Sequence, residues 1–466
     1  MFKISEILKA VKGKLVSGCA RMEAGDISID SRKIKSGDIF IAIKGNNFNG
    51  HDFLEQVVQK GCVCVVREAG GQRASDGRGM KDEARQIAVI EVKDTTKALG
   101  DIALYQRKKI NMPVIAVTGS VGKTTVKDMI SWVLSKDFNV LSNEGTRNNH
   151  IGLPLTLMNA NSSHDMAVLE LGTNHSGEIE YLAKVCQPNI GIITAIGPAH
   201  LEFFGDLNGV LKEKYTLIRN LKKPYIALLN ADDELLKRKM AGESVKNAFF
   251  GFSIKDKSDF SASHIKCHLG KLEFRVSSAG SNSFKLNTPG YNNVYNALAA
   301  IAIARIFGMG YKEIASRLAL FNFPAGRLNF IKFNNINFIN DTYNSNPLSL
   351  KQALSTLGNL DVKGRKIFVM GDMFELGNKK EEFHAQAGRL AAKNCDIFIT
   401  VGKLSDIALS AAKSCGFDNE KIFNCDSSQE ARGILFDKIA PNQDDIVLVK
   451  GSRGMKMEEI FCETKT

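Results

Sequence analysis

A chain of 466 residues is too long for a single ordinary hydrophobic core, so the sequence predicts two to four domains. Hydrophobic residues make up 44% and charged residues 24%, the usual balance of a soluble globular protein, and no stretch of about 18 apolar residues could form a membrane span. Glu6 and Lys9 interrupt the apolar run at the amino terminus, which makes it a poor signal peptide. We therefore expect a cytoplasmic protein.

The formal net charge of +12 favours a negatively charged partner. The lysines are spread along the chain and no basic stripe is interleaved with aromatic residues, so a small polyanion such as a nucleotide is favoured over nucleic acid. The nine cysteines form no CxxC pair, and Cys62 and Cys64 lie in an apolar segment typical of a buried strand. We interpret the cysteines as free thiols that serve as small apolar residues.

The amino-terminal part, up to about residue 110, begins with an amphipathic helix and continues with short strands, predicted in DIFIAIKG, CVCVVRE and IAVIEV. Residues 69–86 are polar and rich in glycine, which indicates a flexible surface loop between two of these strands. The pattern predicts a small α/β domain over residues 1–110.

A different pattern starts at Met112, where apolar strands alternate with amphipathic helices. The strands are predicted in PVIAVTGS, MAVLELG, NIGIITAIG and YIALLN, and the long helix NNVYNALAAIAIARIFG closes this part. Continuous apolar strands of this kind are typical of a parallel sheet that is covered by helices on both faces. We assign residues 111–326 to this central domain.

From Arg327 onwards, strands are predicted in FINDTYN, RKIFVMGDM, DIFITVG and DIVLVKG, with helical stretches between them. This order predicts a second, smaller doubly wound unit, a Rossmann-like domain over residues 327–466. The fold class expected for the whole chain is therefore α/β, with three domains.

A phosphate-binding loop is predicted at the start of the central domain, where VIAVTGSVGKTTVK places a glycine-containing turn between a strand and a helix. The two glycines let backbone N–H groups approach phosphate oxygens, the lysine reaches the β- and γ-phosphates, and the following threonine offers a hydroxyl to Mg²⁺. The strict P-loop pattern has a glycine where this chain has Val117, so the loop is a shorter variant. The residues predicted to bind the nucleotide are Thr118, Gly119, Ser120, Val121, Gly122, Lys123, Thr124 and Thr125.

Two polar residues lie at the carboxyl ends of strands predicted for this sheet, Glu170 at the end of MAVLELG and His200 after NIGIITAIG. The carboxyl ends of parallel strands face the ligand crevice, so a carboxylate there is suited to bind Mg²⁺. By itself, a polar residue at a strand end explains Glu170 equally well. A structural histidine and a solvated helix lysine are the default explanations for His200 and Lys214.

Taken together, the motifs resemble the Mur ligase family of cell-wall enzymes, in the family's order and over nearly the whole chain. Residues 30–53 resemble the family's uridine-binding domain, TGSVGKTT its short P-loop, and EGTRNNHIGLPLTL the segment that holds the muramoyl group. INDTYNSNPLSL, GDMFELG and VLVKGSRG are similar to signatures of the members that add a dipeptide. The diaminopimelate-adding members show Asn-Pro-Arg, whereas Pro347 is followed here by Leu348.

The resemblance implies roles for particular residues. Metal ligands would be Thr124, Glu170, His200 and Lys214, the last as a carbamylated lysine whose carboxylate-like anion suits a second Mg²⁺. Further ATP contacts would come from Asn293, Asn296, Arg327 and Asp341, and the catalytic residues would be Lys123, Lys214, Arg327 and His200. Substrate contacts would come from Ser31, Arg32, Gly45, Gly50 and His51 for the uridine part, Asn148 and Asn149 for the muramoyl part, and Tyr343, Asn344 and Asn346 for the dipeptide. The chain departs from the family at Asn292, where histidine is frequent, and at Ser345, where alanine is usual.

The activity implied by the resemblance is an ATP- and Mg²⁺-dependent ligation of D-alanyl-D-alanine to UDP-N-acetylmuramoyl-tripeptide through an acyl phosphate. That step belongs to peptidoglycan synthesis, and so to cell-wall biogenesis, cell shape and cell division. We expect a monomer that binds these small molecules and neither nucleic acid nor membrane. The alternatives are a ligase of the same family that adds a single amino acid, and a regulatory protein that uses the P-loop as a switch.

Overall fold

The computed structural model describes residues 2–45, 47–70, 87–242, 248–268 and 270–461. Most of the loop predicted at 69–86 lies outside these residues. Two compact units are present, one formed by Met1–Ile115, Asn139–Gly172 and Glu178–Asn189, the other by Ala116–Phe138, Thr173–Gly177 and Ile190–Thr466. Within the described ranges, no helix has both the length and the apolar character needed to cross a bilayer. The three domain boundaries stay a prediction.

The amino-terminal part forms a five-stranded sheet in the order β2-β7-β6-β5-β4, parallel except for β2. Its elements are β1 (Phe2–Lys3), α1 (Ile4–Val11), β2 (Lys14–Ser17), β3 (Glu23–Ala24), β4 (Ile27–Ser28), β5 (Ile39–Ile41), α2 (Leu54–Gln59), β6 (Cys64–Glu68), β7 (Ala88–Val92) and α3 (Thr95–Ile110). The predicted short strands and the first helix are confirmed. Cys62 and Cys64 are buried free thiols here, and Cys62 packs in the apolar cluster with Phe40 and Val65.

The central part contains the alternation of strands and helices that the sequence predicts. Its elements are β8 (Val114–Thr118), α4 (Lys123–Leu134), β9 (Val140–Ser142), α5 (Gly152–Met158), β10 (Met166–Glu170), α6 (Glu178–Cys186), β11 (Ile190–Ile193), α7 (Leu201–Phe204), α8 (Leu207–Arg219), β12 (Ile226–Asn230), α9 (Glu234–Ala241), β13 (Phe249–Ser253), β14 (Phe260–His268), β15 (Lys271–Val276), β16 (Ser283–Leu286), α10 (Asn293–Ile306) and α11 (Tyr311–Ala319). Strands β9 and β10 pair in parallel in the first unit, and β11 to β14 are parallel neighbours in the second.

The expectation of a purely parallel central sheet is wrong at one edge. Strand β14 pairs antiparallel with β15, and β15 pairs antiparallel with β16. In β15 the side chains alternate strictly between exposed and buried, the pattern of a strand with one solvated face. Such strands need no helical crossover, so the chain turns back directly.

The carboxyl-terminal part confirms the predicted doubly wound unit. Its elements are β17 (Asn329–Phe333), β18 (Ile336–Asp341), α12 (Pro347–Asn359), β19 (Lys366–Gly371), α13 (Lys380–Asn394), β20 (Ile397–Val401), α14 (Ser405–Ser414), β21 (Ile422–Cys425), α15 (Ser428–Gly433) and β22 (Ile446–Lys450). The sheet has the order β17-β18-β22-β19-β20-β21 and is parallel except for β17. Apolar clusters cover both faces, with Phe368 and Phe398 stacked on one and Phe338 on the other.

Candidate active site

The phosphate loop connects the fully buried β8 to the first turn of α4, as predicted. Gly119 has φ +149° and Gly122 has φ +81°, backbone conformations that residues with a side chain rarely adopt. A Cβ atom at Gly119 would lie 1.9 Å from the hydroxyl oxygen of Thr194, and one at Gly122 would lie 2.5 Å from the side-chain oxygen of Asn296. Both positions therefore require glycine, for conformation and for space.

Hydrogen bonds to the segment after β11 fix the shape of the loop. The Ser120 N–H donates to the Ala195 carbonyl at 2.8 Å, and the Ser120 hydroxyl both donates to the Gly197 carbonyl and accepts from its N–H at 2.9 Å. The Thr194 hydroxyl donates to the Val121 carbonyl at 2.5 Å. The loop is thus organised before any ligand arrives. Since these bonds use the N–H and the hydroxyl of Ser120 within the protein, the contact of Ser120 with a nucleotide stays a prediction.

Lys123 is the first residue of α4, and its Nζ donates to the Gly119 carbonyl at 3.0 Å, across the loop. Thr124 and Thr125 follow it in the first helical turn and are nearly buried. The amino terminus of a helix presents free N–H groups and a partial positive charge, which together favour a phosphate. The predicted lysine, helix start and glycine turn are therefore brought together here.

We expect Gly119→Ala to weaken nucleotide binding at least about tenfold, which corresponds to about 1.4 kcal/mol. The reason is that the new methyl group would displace Thr194, which holds the loop from behind. Titration with a fluorescent ATP analogue measures the change. Gly310→Ala is a suitable control, because Gly310 has φ −72° and no atom near its Cβ position. Unchanged affinity in Gly119→Ala would contradict the assignment of the loop.

The helix predicted to contact adenine, α10, lies beside this loop through Asn296, as the Gly122 geometry shows. Asn296 donates to the side-chain oxygen of Asn293 at 2.8 Å, so the two residues share one face, as predicted. Asn293 in turn donates to the Thr288 hydroxyl at 3.0 Å.

Glu170 ends β10 in the first unit and is 2% exposed. Asn148 donates to its carboxylate at 2.7 Å, while Asn143 bonds to its backbone N–H and carbonyl. The side-chain oxygen of Asn149 accepts from the N–H groups of Ile151 and Gly152 and so shapes the entry to α5. The substrate roles of Asn148 and Asn149 stay predictions.

Lys214 lies on α8 and is 2% exposed, which excludes a solvated helix lysine. Its neighbour Glu213 is also buried and accepts hydrogen bonds from the Gly177 N–H at 2.8 Å and the Thr173 hydroxyl at 3.4 Å. Burying an ammonium group costs free energy unless its charge is compensated or altered.

His200 precedes α7 with φ +53°, and its Nδ1 lies 2.5 Å from the carboxylate of Glu375. The imidazole, chiefly through this contact, holds the pKa of Glu375 below its usual value. The sequence predicts a role for His200 but none for Glu375. The only available signal was that Glu375 belongs to the signature GDMFELG.

Arg327 precedes β17 and Asp341 is the last residue of β18, and the two side chains make different contacts. The Arg327 guanidinium lies 3.9 Å from the ring centroid of Tyr343, a cation–π contact. Asp341 is paired with the buried Lys450 at 2.5 Å, and burial raises its pKa although Lys450 acts to lower it. Lys450 also donates to the Asn344 carbonyl at 3.0 Å. Asp341 therefore supports the Tyr343–Asn344 segment, and its contact with ATP stays a prediction.

A cavity of about 310 Å³ in the second unit gathers several of the predicted residues. Its wall consists of Asn174, Ala199, His200, Tyr343, Asn344, Ser345, Asn346, Phe374, Glu375, Leu376, Ser452, Arg453 and Gly454. Asn346 caps α12 with its side-chain oxygen, and its Nδ2 donates to the Ser120 carbonyl at 3.3 Å. The cavity is thereby joined to the phosphate loop.

The Ser345 hydroxyl is buried without a hydrogen-bond partner among the described residues, which makes it a candidate contact for a bound group.

The predicted uridine-binding residues lie in the first unit, in loops that follow the parallel strands β4 and β5. Arg32 is held by two hydrogen bonds to Asp30, at 2.9 and 3.0 Å, and this contact lowers the pKa of Asp30 to about 2. His51 accepts from the Glu68 N–H at 3.0 Å. Gly50 has no room for a side chain. The Gly45 N–H donates to the Phe48 carbonyl at 2.9 Å, and the Ser31 carbonyl accepts from Lys60.

The fold and the loop define an α/β protein with a P-loop. Three family models match in chain order: Mur ligase family, catalytic domain, over residues 25–107; Mur ligase middle domain over 117–304; and Mur ligase, glutamate ligase domain, over 326–453. The chain is 33% identical to the UDP-N-acetylmuramoyl-tripeptide–D-alanyl-D-alanine ligase of Bacillus subtilis, covering 98% of this chain and 97% of the relative. It is 35% identical to the ligase of the same name from Escherichia coli, covering 98% and 97%.

Among solved structures, the chain is similar to MurF from Acinetobacter baumannii, with a TM-score of 0.87, 33% identity, and coverage of 98% of this chain and 97% of that one. The chain belongs to the Mur ligase family. The family, the fold class and the enzyme class predicted from the sequence are thereby confirmed.

Proposed function

We propose that this chain is an ATP-dependent ligase that joins D-alanyl-D-alanine to UDP-N-acetylmuramoyl-tripeptide, giving the UDP-muramoyl-pentapeptide of peptidoglycan synthesis. The observation that carries the proposal is the hydrogen bond from Asn346 to the Ser120 carbonyl, which joins a phosphate loop to a small-ligand cavity. The names of the relatives at 33% and 35% identity support the dipeptide-adding step.

The chemistry requires both sites. A peptide carboxylate is a poor electrophile, so the γ-phosphoryl group of ATP is first transferred to it: a carboxylate oxygen bonds to phosphorus as the bond to ADP breaks. The amine of the dipeptide then attacks the acyl carbon, and phosphate leaves as the carbon–oxygen bond breaks. Water must be excluded, because it would hydrolyse the acyl phosphate.

Lys123, the amino terminus of α4 and Arg327 are proposed to neutralise charge during phosphoryl transfer. Phosphoryl transfer depends almost entirely on positioning and electrostatic stabilisation. Lys123 is already held over the loop by the Gly119 carbonyl, and the Arg327 guanidinium is oriented by the Tyr343 ring. Asn293 and Asn296 are proposed to contact adenine from the helix beside the loop.

Mg²⁺ is proposed to be held by Thr124, Glu170, His200 and Lys214. The described residues contain no cluster of three or more His, Cys, Asp or Glu side chains. In proteins, Mg²⁺ usually keeps several waters and binds through one or two carboxylates and substrate phosphates. The hydroxyl of Thr124 and the buried carboxylate of Glu170 are oxygen donors of the kind that fits.

Lys214 and His200, the other two proposed ligands, suit Mg²⁺ only under particular conditions. Lys214 fits only as a carbamate, because an ammonium repels a cation whereas a carbamate supplies anionic oxygens. The imidazole of His200 is a softer donor than Mg²⁺ prefers, and its role depends on how the ring is held. When bound, the cation offsets negative charge on the phosphates.

The cavity is proposed to hold the dipeptide, with Tyr343, Asn344 and Asn346 in its wall and Arg453 as a cation for the free carboxylate. Its volume of about 310 Å³ lies at the lower end of the range for small-molecule sites. In terms of domains, residues 1–110 would bind the UDP part, 111–326 ATP and Mg²⁺, and 327–466 the dipeptide. We propose that the protein acts in the cytoplasm as a monomer.

The test is phosphate release from ATP in the presence of UDP-N-acetylmuramoyl-tripeptide, with D-alanyl-D-alanine, diaminopimelate or lysine as the amine. We expect release that depends on both substrates and is fastest with the dipeptide, and a product mass equal to the pentapeptide. Preference for a single amino acid would favour another ligase of the family. Nucleotide binding without substrate-dependent phosphate release would favour a regulatory switch.

A further inference from the structure

The segment GDMFELG, residues 371–377, follows β19 and is anchored to its own sheet. The Met373 N–H donates to Nε2 of His384 at 3.0 Å, and the Phe374 N–H donates to the Ser452 hydroxyl at 2.9 Å. The side chains of Met373 and Leu376 are buried in the apolar cluster on that face of the sheet. The position of Glu375 between them is therefore set by several independent contacts.

Glu375 and His200 meet in unusual backbone conformations. Glu375 has φ +61° and His200 has φ +53°, left-handed values that cost about 1–3 kcal/mol for a residue with a side chain. Such strain persists only where the surroundings enforce it, and it concentrates at functional sites. In this chain two strained residues, 175 positions apart, bring their side chains to one contact in the cavity wall.

The contact uses one particular nitrogen of the ring. Nδ1 of His200 is buried and lies 2.5 Å from a carboxylate oxygen of Glu375, an ion-pair distance, although the two groups are not aligned as a hydrogen bond. A carboxylate oxygen has no proton to donate, so at this distance it repels a lone pair on Nδ1 and favours the tautomer with a proton there. The lone pair of a neutral ring is then on Nε2.

We propose that Glu375 is a positioning residue, which fixes the ring of His200 through Nδ1 and leaves Nε2 as the nitrogen that serves the reaction. Only the role of Nε2 in the reaction depends on the proposed function; the role of Glu375 in holding the ring does not. Partners of this kind set the orientation and tautomer of histidines that act at metal and phosphate sites. Glu375 itself contacts no reacting atom in this account.

One consequence concerns assembly. His200 belongs to the segment matched by the middle-domain model, and Glu375 to the segment matched by the glutamate ligase model. The ring is therefore positioned only when those two segments are packed as they are here. Next to this contact, a Cβ atom at Gly377 would lie 3.3 Å from the Cα atom of Glu202, so the two segments approach each other closely here.

The test compares Glu375→Met, which keeps the length but removes the acceptor, with Glu375→Gln, which keeps an acceptor but removes the charge. Both are made also in a His200→Ala background. We expect Glu375→Met to raise the Mg²⁺ concentration for half-maximal activity at least about tenfold, with a smaller effect from Glu375→Gln. The KM for the dipeptide should change less than kcat. In the His200→Ala background, neither change should add to the defect.

Two further measurements do not depend on turnover. Binding of Mn²⁺ in the presence of a non-hydrolysable ATP analogue, followed by electron paramagnetic resonance, should weaken in Glu375→Met. The ¹⁵N shifts of the histidine rings should show His200 protonated on Nδ1 in the wild type and a tautomer mixture in Glu375→Met. Asp256→Asn is the control, since Asp256 forms an equally short pair with Lys237, at 2.5 Å, with similar exposure.

An unchanged His200 tautomer in Glu375→Met, or an equal loss of activity with and without His200, would overturn the proposal. Failure of the wild type to ligate would reject the proposed function instead, while the tautomer measurement would still decide the role of Glu375.

Discussion

Lys123→Ala is expected to abolish turnover and to leave the fold intact. The Lys123 ammonium is held 3.0 Å from the Gly119 carbonyl, over the loop that is to receive the phosphates. Removing one such preorganised charge-stabilising group typically lowers kcat about 10²- to 10³-fold. Phosphate release in the presence of both substrates measures the loss, and the melting temperature checks the fold.

Lys136→Ala is the matched control, because Lys136 follows the same helix, is exposed, and lies over the Trp132 ring. Its activity should equal that of the wild type. If Lys123→Ala turned over at the wild-type rate, the loop would not be the site of phosphoryl transfer.

Lys214→Ala is expected to lose most activity and to regain part of it when a small carboxylate such as acetate is added. The reason is that Lys214 is buried, and we propose that it acts as a carbamate whose oxygens bind the cation. A diffusible carboxylate can occupy the space left by the truncated side chain and supply the same kind of oxygen. The measurement is phosphate release as a function of carboxylate concentration.

Lys212→Ala supplies the comparison on the same helix, since Lys212 is exposed on α8. It should keep full activity and show no response to acetate. Full activity of Lys214→Ala without any carboxylate would remove Lys214 from the site. Loss of activity without rescue would be explained by the loss of a buried side chain from the packing of α8.

Strands and helices could be predicted from the sequence where a local pattern of residues determines them. β8 and α4 were predicted because a continuous apolar strand, a glycine turn and an amphipathic helix follow one another within 21 residues. Strands β14 to β16 were missed, although KLEFRV alternates between polar and apolar residues, because the interpretation extended the parallel pattern of the preceding strands. Sheet order at an edge depends on long-range pairing, which a local pattern does not contain.

The candidate site shows the same division. The residues of the phosphate loop are contiguous, so the sequence identified them together. The acidic neighbour of His200 comes from a distant position, since Glu375 follows β19, whereas Phe204 lies one helical turn away on α7 with its ring perpendicular to the imidazole. No spacing rule connects residues 200 and 375. They meet because a loop after β11 packs against a loop after β19, and these two strands belong to different sheets. The family resemblance indicated His200 without indicating what holds it.

The side-chain amide of Asn346 has a consequence for which residues can stand at the start of α12. Aspartate, serine and threonine are all good caps for a helix, since each supplies an oxygen to its first turn. None of the three has an N–H₂ group, and Asn346 uses that group to reach the Ser120 carbonyl. The position therefore demands a short side chain that accepts at one end and donates at the other, which asparagine alone provides. The start of α12 would otherwise tolerate several residue types, and the hydrogen bond to the phosphate loop restricts it to asparagine.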